Sequence, residues 1–80
     1  MDVKVLADRI LKEVSWVSRV YYKNNSLFSV IEGTHDTILM ALSDDLLEDI
    51  TDAGLTIISV RDYTSEEEEL RGSGQLLAEK

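Results

Sequence analysis

The sequence predicts a small two-layer α+β domain with elements in the order α-β-β-β-α-β, a mainly antiparallel sheet and the helices on one face. Three observations carry this expectation. An amphipathic repeat opens the chain. A run rich in β-branched and aromatic residues follows, interrupted by Asn24-Asn25. A second helical stripe then lies between Ser43 and Gly54.

Val3, Ala7, Ile10, Val14 and Val17 recur in steps of four and three, and Leu6 and Leu11 widen the stripe. That spacing puts apolar side chains on one face of a helix over residues 2–14, with Lys4, Asp8 and Lys12 on the other. From Ser15 the residue types change to strand formers: Trp16, Val17, Val20, Tyr21 and Tyr22, then Leu27, Phe28, Val30 and Ile31. Asparagine tolerates positive φ, so Asn24-Asn25 suits a two-residue hairpin turn. The resulting register sets Tyr22 opposite Leu27 and Tyr21 opposite Phe28. One face of the hairpin then carries Trp16, Ser18, Val20, Tyr22, Leu27, Ser29 and Ile31. The other carries Val17, Arg19, Tyr21, Phe28, Val30 and Glu32, and it is not the polar face that a solvated antiparallel sheet presents.

After Gly33, residues 37–42 read as a third strand. Ser43 is a good N-cap, Asp44 and Asp45 suit the first turn of a helix, and Gly54 stands where a C′ glycine belongs. Leu46, Leu47, Ile50 and Ala53 form the buried stripe of that helix. Residues 55–61 are the last strand. A second reading of 34–53, as one helix using Leu39, Leu42, Leu46 and Ile50, stays open on periodicity alone. The domain is thus expected over residues 1–63. Residues 64–80, with five acids and two bases, are expected to form an acidic, flexible tail. Within it Ser65 and Glu68 have the spacing of a capping box.

The 80 residues include 16 acids and 8 bases, a net charge of −8, and neither cysteine nor proline. Disulfide scaffolds, cysteine-ligated zinc, cysteine nucleophiles and proline-rich ligands are excluded. No apolar run approaches the length of a membrane span, and no basic region precedes an apolar one as in a secretory signal. The expectation is a cytoplasmic protein that binds neither membrane nor nucleic acid. Trp16, Tyr21, Tyr22 and Phe28 would suit base stacking, but only Arg19 and Lys23 lie near them, and the overall charge repels phosphate.

No phosphate-binding, nucleophile-elbow or zinc-protease motif occurs. His35 next to Asp36 is the one histidine and reads as a turn residue. Asn24-Asn25-Ser26 matches a glycosylation pattern by coincidence. The expectation is therefore no enzyme, no catalytic or metal-binding residue and no cofactor. Two candidate surfaces remain. Asp45, Glu48, Asp49 and Asp52, at i, i+3, i+4 and i+7, share one helical face that suits a basic protein partner. Val17, Tyr21, Phe28 and Val30, on the second hairpin face, suit self-association into a homo-oligomer, a route to further burial for a domain of this size without staples.

The element order α-β-β-β-α is similar to that of double-stranded RNA-binding domains, with an acidic second helix where theirs is basic. With the final strand, the small size and the acidity, the chain resembles the small acidic secretion chaperones. That resemblance lies in element order and implies a dimer that holds partner segments. The functional expectation is a self-associating protein-interaction module, with a small-ligand-binding regulatory domain and a chaperone-like partner-holding dimer as alternatives.

Overall fold

The computed structural model describes residues 2–33 and 38–80. Its elements are α1 (Val3–Glu13), β1 (Val17–Lys23), β2 (Ser26–Ile31), a 3-10 turn (Leu39–Ala41), α2 (Asp44–Asp52), β3 (Thr56–Arg61), α3 (Ser65–Ser73) and β4 (Gln75–Glu79). The α+β class stands, and the order becomes α-β-β-α-β-α-β. The sheet is mixed, with strands in the order β3-β2-β1-β4. β1 pairs antiparallel with β2 and β4, whereas β2 and β3 run parallel.

The local signals hold where the hydrogen bonding is local. The hairpin has the expected register, Tyr22 to Leu27 and Tyr21 to Phe28, with Asn24 and Asn25 at φ 50° and 57°. Ser43 caps α2 by accepting from the Leu46 amide at 3.2 Å. Its own N–H and hydroxyl donate to Glu13, which ties α2 to the end of α1. Gly54, at φ +75°, lets the chain leave α2 in the left-handed conformation that favours glycine.

Three expectations are corrected. The third strand at 37–42 is replaced by one 3-10 turn and an extended Leu42, so neither that strand nor a single helix over 34–53 forms. Thr37, like Thr34, His35 and Asp36, lies outside the described residues. The physical reason is topological: parallel neighbours need a crossover, and the segment between β2 and β3 supplies it. Ile38 and Leu42 are buried beneath that crossover.

Residues 64–80 do not form a tail outside a 1–63 domain; they contribute α3 and β4 to the same sheet. Thr64, one residue earlier than expected, caps α3, with its hydroxyl accepting from the Glu67 amide.

The helices also occupy both faces of the sheet. Leu6, Ala7, Ile10, Val14, Leu46 and Ile50 pack with Val17, Val20, Leu27, Ile31 and Leu77 in the main core. On the opposite face a smaller cluster joins Leu70 of α3 to Tyr21, Val30 and Val60, with Phe28 packed against it. The chain steps from β2 outward to β3, then back across the sheet to β4. Crossovers of one hand in opposite directions place their helices on opposite faces, which accounts for α2 on one side and α3 on the other.

Candidate functional site: the β3 edge and the corner beneath α3

The residues expected to carry interactions are distributed differently by the structure. Asp45, Glu48 and Asp52 are exposed on α2. Asp49 is half-buried and accepts from Arg9 of α1 at 2.6 Å, so it serves the α1–α2 contact and not the free acidic face. Val17, Tyr21 and Val30 are 0%, 4% and 0% exposed, and Phe28 is half-buried. A bulge between Val17 and Arg19 turns Val17 into the main core, away from Tyr21. α3 of the same chain therefore covers most of the apolar second face, burying Tyr21 and Val30 and leaving Phe28 partly exposed at one corner.

α3 is held down by an ion cluster at its N-terminal end. Arg19 Nε donates to Glu67 Oε2 at 2.6 Å and Arg19 Nη2 to Asp62 Oδ1 at 2.5 Å, with Glu79 at 3.8 Å from Nη1. Glu67 is 1% exposed; its second oxygen accepts from the Tyr63 amide at 3.0 Å, and Arg71 lies 3.6 Å away. Tyr63 adopts φ 59°, and its ring centroid is 6.0 Å from the Arg19 guanidinium. Burial alone pushes the Glu67 pKa up. The hydrogen bonds from Arg19 and Tyr63, with the charges of Arg19 and Arg71, outweigh it and hold the carboxyl below its ordinary value. The hydrogen bond to Glu67 raises the Arg19 pKa; burial opposes this, and the charges of Glu67 and Asp62 add to it. A charged residue on an apolar strand face needs a partner, so Arg19 is the sequence feature that marks this cluster, one the expectations above did not use. Among the described residues, no group of three His, Cys, Asp or Glu is placed to hold a metal ion.

The open surface lies at the opposite corner of the same face. α3 starts beyond the end of β3 and finishes at Gly74, next to Gln75, which pairs with Tyr22 at the hairpin end of β1. Its diagonal course leaves the start of β3 and the hairpin tip uncovered. There a cleft of about 230 Å³ is floored by Phe28, Val60 and Leu70 and rimmed by Lys23, Asn24, Glu66 and Glu69. Ile58, paired with Phe28 across the β2–β3 ladder, is 37% exposed next to it.

β3 is also an edge strand. The amides of Thr56 and Asp62 donate to Asn25 and Ile31 on the β2 side. With the period of two in a strand, Ile57 and Ser59 present their N–H and C=O groups outward, whereas the Arg61 carbonyl on the same side accepts from the Thr64 hydroxyl at 2.8 Å. Among the described residues no strand pairs with them. The two edges of the sheet differ. β4 is short, its ladder with β1 is bulged, and it ends on Glu79 and Lys80. β3 pairs in unbroken register for six residues, with neither charge nor bulge before Arg61, whose guanidinium donates to the Gly33 carbonyl. Bulges and charges are the usual guards of a free edge, and only β4 has both.

Compared with protein-family models, with curated proteins and with solved structures, the chain matches none of them. The resemblance to secretion chaperones rested on the order α-β-β-β-α-β, and the structure replaces that order. No helix among the described residues is long and apolar enough to cross a membrane.

Proposed function

We propose that this protein is a non-enzymatic protein-interaction domain that receives an extended segment of another protein as a fifth strand on β3. The observation that carries the reading is the unguarded β3 edge beside an uncovered apolar corner. Strand addition of this kind draws its affinity from main-chain hydrogen bonds and its selectivity from alternate side chains. The cleft supports the same reading by its size. At about 230 Å³ it is smaller than the ~300–1,000 Å³ of most small-molecule sites and suits one anchoring side chain.

The test is amide-resolved NMR with an end-blocked peptide of alternating threonine and leucine. The reading expects shifts, and slowed hydrogen exchange, concentrated at Ile57 and Ser59. It also expects their loss in Ser59→Pro, which removes an outward N–H and leaves the β2–β3 ladder bonded. Shifts confined to β4, or none at millimolar peptide, would overturn it.

A further inference from the structure

Resting on the strand-addition reading, we propose that the segment received by β3 is basic. On the α3 side of the sheet it would carry an apolar residue beside Ile58 and a lysine or arginine next to Glu66. The side chains of β3 on that face are Thr56, Ile58 and Val60, so a fifth strand sets its own alternate side chains in line with them. The residue beside Ile58 meets apolar surface that continues through Phe28 into the cleft. Burying an apolar group there covers the exposed part of Ile58.

The charge at the rim decides the rest. Among the described residues Lys23 is the one cation lining the cleft, and it is already engaged: its Nζ donates to the Ser73 hydroxyl at 2.9 Å and lies 3.7 Å from Glu69. Glu66 is exposed and has no ion-pair partner among the described residues. The unbalanced charge at the mouth is therefore a carboxylate, on a chain whose net charge is −8. A cation on the incoming strand gains a partner there and is drawn in by the wider field, whereas an acidic segment is repelled.

A second copy of this chain fits the edge less well. It brings a further −8, and its own β3 offers only Arg61, whose guanidinium is held by Gly33.

The experiment compares three end-blocked peptides in which threonine alternates with an inner face of lysine-leucine-lysine, glutamine-leucine-glutamine or glutamate-leucine-glutamate. Binding is read by NMR at low salt on the full chain. Surface ion pairs predict about a fivefold preference for the lysine over the glutamine peptide and a weaker glutamate peptide. The preference should fall to within about twofold at high salt, and likewise in Glu66→Gln, an exposed change that leaves the fold intact. Equal binding of all three peptides at Ile57 and Ser59 would overturn the charge inference while leaving strand addition standing. Failure of all three to perturb those amides would overturn strand addition itself. A concentration-dependent mass that Ser59→Pro abolishes would assign the edge to a second copy and overturn the proposal.

Discussion

Replacing Arg19 by methionine keeps a long flexible side chain but strands Glu67, 1% exposed, without the guanidinium that donates to it at 2.6 Å. Breaking a buried pair from one side costs about 3–5 kcal/mol, because the remaining charge stays buried. Two features place this case at the lower end. Glu67 keeps the Tyr63 amide at 3.0 Å, with Arg71 at 3.6 Å, and Asp62, at 19% exposure, regains water. The expected loss is about 3 kcal/mol, a fall in Tm of roughly 12–24 °C for a domain of this size. Combining Arg19→Met with Glu67→Leu removes the stranded charge and should recover at least ~1 kcal/mol of that loss. The pH dependence has a definite sign. The folded pKa of Glu67 lies below its unfolded value, so the pair's contribution is fully present above the unfolded carboxylate range, about 4.3. It is lost as the pH falls through the folded value. Urea unfolding at pH 7 and in steps below pH 5, read by Trp16 fluorescence, measures both effects. A loss below ~1 kcal/mol in Arg19→Met, or an acid limb equally steep in the original protein and the double variant, would refute the reasoning.

Three further outcomes are expected. A chain ending at residue 63 should fail to fold cooperatively by circular dichroism and thermal melting, because it lacks β4 and the α3 residues that cover Tyr21, Val30 and Val60. Ser29→Ala should raise stability by about 1 kcal/mol in urea titrations, since Ser29 is 0% exposed and its hydroxyl has no hydrogen-bond partner among the described residues. On α2 the two central acids should part company in the same assay. Glu48→Lys relieves repulsion with Asp45 and Asp52 and should gain about 0.2–0.5 kcal/mol, a gain that shrinks in high salt. Asp49→Lys breaks the half-buried pair with Arg9, sets two cations together and should lose stability.

Which parts of this protein were legible in the sequence follows from how far apart the interacting residues are. The α1 stripe, the Asn24-Asn25 turn with its hairpin register, the Ser43 cap and the Gly54 exit all depend on residues within a few positions of each other, so residue type and spacing determined them. The non-polar second face of the hairpin was legible as well, and so was the need to cover it. What covers it was not. A second copy and the chain's own α3 satisfy the same pattern, and only the return of β4 to β1, more than fifty residues along, decides between them. The segment at 37–42 shows the same limit, since its apolar residues fit a strand or a buried crossover equally. The parallel pairing of β2 with β3 made it a crossover. The β3 edge, the uncovered corner and the pairing of Arg19 with Glu67 are likewise properties of strand order and helix course. Strand order is set by contacts between distant segments, and a sequence read in short windows does not contain them.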